Sequence, residues 1–208
     1  MSILAILPVK DLSQSKSRLS HEMNRQQRES LAFNLLKRTL GILKSSKCID
    51  DILMVSRDVR VRSMAEMENV LFLQEEGTDL NQALEQATRW SLEQHYSAIL
   101  ILPLDIPFLT KEDIDSITKM GNEKREIVII APDREMKGTN ALLVKPPGIL
   151  QYQFGLESFR CHWQQTQYRH IENKIYYSAK MSFDVDFPSQ YRSMVQGDLP
   201  WFNLCQRP

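Results

Sequence analysis

Residues 98–110 read AILILPLDIPFLT, and this stretch decides the fold class. Its first five residues are continuously apolar, as in a central strand buried on both faces of a parallel sheet. An acidic residue, Asp105, follows directly between Pro103 and Pro107. A carboxylate there costs free energy unless it is solvated or liganded, and the prolines restrict the backbone that aims it. Thr110 then predicts the N-cap of a helix that begins KEDIDSI.

Strand and helix patterns alternate on both sides of this stretch. The predicted strands cover Ser2–Val9, Asp51–Ser56, Val70–Gln74, Ala98–Leu102, Glu126–Ala131, Asn140–Val144 and Lys174–Tyr177. The predicted helices cover 24–47, 58–69, 79–95, a segment after Thr110, 158–167 and a segment after Pro188. This order predicts an α/β fold with a mostly parallel sheet and helices on both faces. We expect one domain over 1–208, with an irregular substrate-side insert around 145–180.

The composition excludes several function classes. The 208 residues contain 26 Lys plus Arg and 26 Asp plus Glu, so no global field favours nucleic acid or an anionic membrane. The apolar run at the N-terminus is too short for a signal peptide or a spanning helix. Cys48, Cys161 and Cys205 are far apart, which predicts free thiols in a reducing compartment. We therefore expect a cytoplasmic protein without a nucleic-acid or membrane partner.

A basic loop follows the first predicted strand. Because ligands bind beyond the carboxyl ends of parallel strands, residues in this position are candidates for a site. Lys10, Lys16 and Arg18 stand among several serines, and together they could hold a triphosphate. The alternative is a solvated basic loop, and the glycines of a P-loop are missing.

Three aspartates predict a metal site. Asp105 follows the most apolar strand, and Asp184 and Asp186 lie two residues apart in SFDVDFP, so both can face one side of an extended segment. Like charges that converge need a cation, and Mg²⁺ prefers a few such carboxylates together with phosphate oxygens. The alternatives are a turn or capping role for Asp105 and a solvated pair at a strand edge.

Weaker signals lie in three further segments. Thr139 in KGTNALLV offers a hydroxyl. Gly155 and Ser158 lie at the N-terminus of a predicted helix, where free backbone N–H groups can bind an anion. Asp79 and Asn81 in TDLNQAL could bind a base or ribose, but they could equally cap a helix.

Together these segments resemble the 2-phospho-L-lactate guanylyltransferase family of coenzyme F-420 biosynthesis, which includes enzymes that accept phosphoenolpyruvate or 3-phospho-D-glycerate. The resemblance rests on LPVKDLSQSKSRLS, DLNQAL, LPLDIPFLT, APDREMKGTNALLV, FGLESF and FDVDFPSQY, in that order along nearly the whole chain.

The resemblance implies a GT-A-like nucleotidyltransferase fold and transfer of GMP from GTP to a small phosphorylated acid, with release of pyrophosphate. The implied GTP-binding residues are Lys10, Lys16, Arg18, Asp79 and Asn81. The implied acid-binding residues are Thr139, Gly155 and Ser158. The implied Mg²⁺ ligands are Asp105, Asp184 and Asp186, and Lys16, Arg18 and Asp105 are the implied catalytic set.

Several questions stay open at this stage. Leu156, Glu157 and Phe187 depart from the family pattern near the acid-binding side, so the identity of the acid is not predicted. The rival functions are another nucleotidyltransferase, of the molybdenum-cofactor or sugar-phosphate type, and a non-catalytic nucleotide-binding protein. The aromatic tail LPWFNLCQRP could pack on the domain or on a partner subunit, which leaves a homodimer open.

Overall fold

A computed structural model of the chain describes residues 2–197. Within this range one seven-stranded sheet has the order β3-β2-β1-β4-β6-β5-β7. Its strands are β1 Ile3–Val9, β2 Asp51–Ser56, β3 Leu71–Gln74, β4 Ala98–Ile101, β5 Ile127–Pro132, β6 Thr139–Lys145 and β7 Asn173–Ile175. The helices are α1 Arg25–Ser45, α2 Val59–Met67, α3 Leu80–Glu93, α4 Lys111–Gly121, α5 Ser158–Tyr168 and α6 Pro188–Gln196. The prediction of an α/β fold with alternating strands and helices is confirmed.

The sheet is mostly parallel, as predicted, and β6 is its exception. β6 runs antiparallel to both β4 and β5, whereas the pairs β1–β2, β1–β4, β2–β3 and β5–β7 are parallel. Only residues 133–138 connect β5 to β6, and a parallel crossover needs a dozen residues or more. Because β6 is reversed, its first residue, Thr139, lies at the edge where the parallel strands end.

Buried side chains cover both faces of the sheet. On one face Leu36 of α1, Val61 of α2 and Ile114 of α4 join the core. On the other face Leu84 of α3 is buried and Phe159 of α5 packs against the core. Burial of this kind stabilises the layers by roughly 25 cal/mol for each Å² of apolar surface. The layers leave the carboxyl edge of the sheet open for loops.

A third, smaller cluster joins the beginning of the chain to its end. Leu19, Phe183 and Val185 are buried together, and Phe108 packs against them. This cluster places the basic loop after β1 beside the segment that contains Asp184 and Asp186.

The other regions singled out in the sequence are placed as follows. The predicted insert around 145–180 contains α5 and the edge strand β7. No helix within residues 2–197 has the length and apolar character needed to cross a bilayer. Cys48 and Cys161 are free thiols, while Cys205 and the aromatic tail lie outside the described residues.

Asp58 holds the backbone of the basic loop after β1. The Asp58 carboxylate accepts a hydrogen bond from the backbone N–H of Leu12 at 2.9 Å and caps α2 through the N–H of Arg60. It also pairs with the Arg60 guanidinium at 2.6 Å, and its own side chain is only 4% exposed. Arg60 lowers the pKa of Asp58 from its ordinary value of 3.8 to about 2, against an opposing effect of burial.

We expect Asp58→Asn to lower the free energy of unfolding at pH 7 by about 2 kcal/mol, because the lowered pKa reflects stabilisation of the charged carboxylate. This contribution is fully present above pH 3.8 and is lost as the pH falls through about 2. Urea unfolding followed by circular dichroism, repeated over this pH range, measures it. Glu29→Gln removes a less buried partner of the same Arg60, with its side chain 24% exposed, and should have little effect. Equal losses in the two variants would contradict the prediction.

Candidate active site

A cleft of about 750 Å³ opens at the carboxyl edge of the sheet. Its walls come from the loop after β1, the segment between β3 and α3, and the turn after β4. Six of the predicted site residues line it: Lys10, Lys16, Arg18, Asp79, Asp105 and Asp186. Residues far apart in sequence thus meet in one concave site, of the size and position typical of a ligand pocket.

Lys16 stands at the centre of this cleft between two carboxylates. Its Nζ lies 3.2 Å from Asp186 Oδ1 and 3.6 Å from Asp105 Oδ2. Its side chain is only 9% exposed. Arg18 Nη1 pairs with Asp186 Oδ2 at 3.1 Å, and its guanidinium lies 4.9 Å from the centre of the Phe187 ring. The partly buried Lys16 pairs are screened by salt much less than the Arg18 pair, whose arginine side chain is 61% exposed.

The backbone of the basic loop fixes where Lys16 points. Lys16 has φ 53° and ψ 35°, a left-handed conformation that is uncommon outside glycine. Its carbonyl accepts a hydrogen bond from the N–H of Leu19 at 2.9 Å, which starts a short 3-10 turn over Ser17–Leu19. Because Leu19 is buried in the third cluster, the turn and the lysine before it are held in place.

Asp184 is half-buried between the buried Phe183 and Val185, and it does not line the cleft. The N–H of Val185 donates to the Asp105 carbonyl at 2.9 Å, so the two acidic segments are joined through the backbone. Burial, together with the nearby charges of Asp105 and Asp186, raises the pKa of Asp184 to about 6. Gln190 Nε2 donates to Asp184 Oδ1 at 3.0 Å. Burial is the larger cause and the like charges add to it, so a cation beside Asp184 would favour its charged form.

The carboxylates do not form a ready-made metal site. Within residues 2–197 no group of three or more His, Cys, Asp or Glu side chains is arranged to hold an ion. The Lys16 ammonium instead lies between Asp105 and Asp186, and Arg18 pairs with Asp186 as well. The chemistry of the donors still fits a hard divalent cation, because carboxylate oxygens are its preferred ligands. The metal role of the three aspartates stays a prediction.

The predicted acid-binding residues form a second group that does not line the large cleft. Thr139 and Ser158 are 5% and 2% exposed, and Ser158 Oγ donates to Thr139 Oγ1 at 3.2 Å. Thr139 Oγ1 also lies 3.1 Å from Nδ1 of His162, which is completely buried. Gly155 has φ +127°, which strains any other residue, and open space surrounds the position of an added Cβ. The structure therefore brings Thr139 and Ser158 into contact, as a hydrogen-bonded pair.

The two residues predicted beside the nucleoside differ in position. Asp79 lines the cleft and also caps α3, accepting a hydrogen bond from the N–H of Gln82 at 3.0 Å. Asn81 does not line the cleft. Its amide instead brackets the backbone of Phe154: Oδ1 accepts from the N–H at 2.8 Å and Nδ2 donates to the carbonyl at 3.2 Å.

Sequence reasoning missed Glu75 and assigned no role to His162. Glu75 follows β3 at the carboxyl edge and lines the cleft, and burial raises its pKa. The rule that site residues follow parallel strands could have identified it. His162 follows the FGLESF segment, but only the folded chain brings it to Thr139.

Comparison with known proteins identifies related sequences. The family model described as "Guanylyl transferase CofC like" matches residues 3–198. The chain is 35% identical over 188 residues to a phosphoenolpyruvate guanylyltransferase of Rubrobacter xylanophilus, covering 90% of this chain and 91% of the relative. It is 32% identical to a 2-phospho-L-lactate guanylyltransferase of Methanocaldococcus vulcanius, covering 89% and 81%. It is 28% identical to a 3-phospho-D-glycerate guanylyltransferase of Colwellia psychrerythraea, covering 88% and 86%.

Solved structures share the fold at much lower identity. A chain from Desulfovibrio desulfuricans G20 superimposes with a TM-score of 0.79 at 14% identity, covering 96% of this chain and 89% of that chain. A nucleotidyl transferase from Methanothermobacter has a TM-score of 0.65 at 11% identity, covering 94% and 97%. At these identities the similarity shows the fold alone, and it agrees with the predicted GT-A-like nucleotidyltransferase fold.

Proposed function

The chain belongs to the CofC-like guanylyl transferase family, and from that premise we propose that it transfers GMP from GTP to a small phosphorylated carboxylic acid. One observation in the site carries the proposal. Lys16 contacts Asp105 and Asp186 at once, inside a cleft that Lys10 and Arg18 also line. Cations for a triphosphate and carboxylates for a metal ion thus face each other, as phosphoryl-transfer chemistry requires.

In this proposal the cations bind the phosphates of GTP. Lys10, Lys16 and Arg18 hold the triphosphate, and Lys16 and Arg18 stabilise the pyrophosphate as it leaves. A phosphate oxygen of the acid attacks the α-phosphorus, and the bond from that phosphorus to the bridging oxygen breaks. The attacking group is already an oxyanion, so it needs no strong general base. The main barrier is the approach of two anions, which the cleft lowers by holding them in line.

The carboxylates complete the electrostatic arrangement. When bound by Asp105, Asp184 and Asp186, a Mg²⁺ ion would supply neutralisation of the charge that develops on the transferred phosphate. Lys16 can exchange its carboxylate partners for phosphate oxygens, because its side chain is a flexible point charge. Asp105 and Asp186 would then be free to act as ligands.

The base is recognised at the β3 side of the cleft. The edge of guanine carries two neighbouring N–H donors, and a carboxylate can accept from both. We assign this contact to Glu75, with Asp79 beside the ribose, since both side chains line the cleft. Asn81 is assigned an indirect role through the Phe154 backbone, because its amide is already bonded there.

The acid is bound at the neighbouring group formed by Thr139, Gly155 and Ser158. The candidates are 2-phospho-L-lactate, phosphoenolpyruvate and 3-phospho-D-glycerate, which the named relatives use. The corresponding place in metabolism is coenzyme F-420 biosynthesis in the cytoplasm. The chain acts as one domain, and a homodimer is compatible with this role.

Pyrophosphate release tests the proposal. The chain is incubated with the three acids, Mg²⁺ and, separately, GTP, CTP, ATP or UTP. We expect pyrophosphate release with GTP but not with CTP, ATP or UTP. The release should be lost when the acids are omitted or when EDTA removes the metal ion. Release with CTP instead would favour the rival hypothesis that the chain is another type of nucleotidyltransferase. GTP binding without release under any condition would favour a non-catalytic nucleotide-binding protein.

We expect Glu75→Gln to lower kcat/KM for GTP roughly 10- to 100-fold, because the amide replaces one acceptor with a donor that opposes a guanine N–H. The preference for GTP over inosine triphosphate, which lacks the exocyclic amino group, should fall as well. Initial rates with both nucleotides measure the effect. Glu76→Gln is the matched control, because Glu76 is the adjacent, exposed carboxylate and does not line the cleft. An unchanged preference in Glu75→Gln would refute the assignment.

A further inference from the structure

His162 is a buried polar residue that the proposed mechanism does not yet use. It lies in α5, is 0% exposed, and joins three parts of the chain. Nδ1 lies 3.1 Å from Thr139 Oγ1 at the start of β6. Nε2 accepts a hydrogen bond from the N–H of Gln153 at 3.0 Å. The ring packs edge-on against Phe154, with centroids 4.9 Å apart.

The partner of Nε2 determines where the imidazole carries its proton. A backbone N–H can only donate, so Nε2 must be unprotonated to accept from Gln153. Burial lowers the pKa of His162 to about 4, so the ring is neutral at neutral pH. A neutral imidazole without a proton on Nε2 carries it on Nδ1. His162 therefore donates to Thr139 Oγ1.

This donor fixes the direction of the Thr139 hydroxyl. A hydroxyl oxygen has two acceptor sites and one proton to donate. Thr139 Oγ1 accepts from His162 Nδ1–H and from Ser158 Oγ–H, so both acceptor sites are used. The hydroxyl's remaining hydrogen-bonding capacity is donation of its own proton. An anion is the partner that a directed donor favours most.

The same histidine also holds the loop that contains Gly155. Its hydrogen bond fixes Gln153, and Asn81 fixes Phe154 from the other side. Gly155 follows with a backbone conformation that favours glycine and with open space beside it. The loop is therefore anchored directly before the glycine.

We propose that His162 is a positioning residue for the acid: its Nδ1–H tautomer directs the Thr139 hydroxyl proton towards an oxygen of the phosphorylated acid and anchors the loop of residues 153–157. This inference rests on the proposed function and deepens it, because it names the residue that makes the Thr139 hydroxyl a hydrogen-bond donor in the acid subsite. His162 acts through Thr139 and does not itself contact the acid.

Two amide substitutions separate the two hydrogen bonds of the ring. In His162→Asn the amide nitrogen takes the place of Nδ1 and keeps a donor for Thr139. In His162→Gln the amide oxygen takes the place of Nε2 and keeps the acceptor for Gln153, but Thr139 loses its donor. We expect His162→Gln to raise KM for the acid roughly 10- to 100-fold, the range for loss of a hydrogen bond to a charged group. KM for GTP should change little. His162→Asn should raise KM for the acid less.

A double-mutant cycle with Thr139→Val tests whether the effect passes through the hydroxyl. Valine keeps the shape of threonine and removes the proton, so His162→Gln should add little to KM for the acid in that background. Thr139→Ser keeps a hydroxyl and should therefore raise KM for the acid less than Thr139→Val does. Thr118→Val is the matched control, because Thr118 is an equally buried threonine in α4 whose hydroxyl bonds only within its helix.

The outcomes are distinct. An unchanged KM for the acid in His162→Gln, or an equal rise in the KM values for acid and GTP, would overturn this inference alone. If His162→Gln fails to fold, additive effects of His162→Asn and Thr139→Val would overturn it. Absence of turnover by the wild-type chain with every acid would overturn the proposed function and this inference together.

Discussion

Asp105→Asn should lower turnover by at least about 10²- to 10³-fold, the usual loss for one preorganised electrostatic contact. The fold should stay intact. The substitution keeps the size of the side chain but removes one hard donor oxygen and one negative charge facing Lys16. The backbone carbonyl that binds the N–H of Val185 is unchanged, so the two acidic segments stay joined. The Asp105 side chain is 25% exposed, so its loss should cost little stability.

Steady-state pyrophosphate release and thermal unfolding measure this prediction together. Asp115→Asn is the matched control, because Asp115 is 32% exposed, is paired with Lys111, and lies in α4 outside the cleft. We expect the control to keep its turnover. Near-normal turnover in Asp105→Asn would refute a role of Asp105 as a metal ligand.

Lys16→Met should have a comparable effect, with kcat lowered by about 10²- to 10³-fold and KM for GTP raised. Methionine keeps most of the aliphatic stem and removes the charge that contacts Asp105 and Asp186. The loss has two physical causes. The departing pyrophosphate loses one of its two cations, and Asp105 loses its counter-charge while Asp186 keeps only Arg18.

The measurement for Lys16→Met is again initial-rate kinetics over a range of GTP concentrations. Lys44→Met serves as the control, since Lys44 pairs with Glu68 on the surface and lies outside the cleft. Because Lys16 and Asp105 are in contact, the double variant should lose much less than the product of the two single losses. Independent, multiplicative losses would contradict the shared role that we assign to the pair.

The alternation of strand and helix patterns predicted most of the fold. The rule that ligands bind beyond the carboxyl ends of parallel strands predicted the centre of the site. The apolar runs that became β1 and β4 end at the same edge because they are parallel neighbours. Lys16 and Asp105 follow these strands, so their meeting could be expected from the sequence. The two-residue spacing in SFDVDFP singled out Asp184 and Asp186, but their position beside this edge depends on the packing of Leu19 against Phe183 and Val185.

Other features depended on long-range contacts that no local pattern encodes. The pairing of β6 with β4 is one of them, whereas the reversal of β6, which brings Thr139 to the carboxyl edge, follows from its six-residue connection to β5. Asn81 was a credible ligand by position, but its amide is bonded to Phe154, 73 residues away. His162 gained a role only because α5 packs its ring against Thr139 and Gln153.

The identity of the product tests the central claim most directly. The chain is incubated with GTP and Mg²⁺ and, separately, with 2-phospho-L-lactate, phosphoenolpyruvate or 3-phospho-D-glycerate, and the products are analysed by mass spectrometry. We predict a diester of GMP and one of these acids, formed in equal amount with pyrophosphate. GTP that stays intact with all three acids, while the folded chain still binds it, would contradict guanylyl transfer in this cleft.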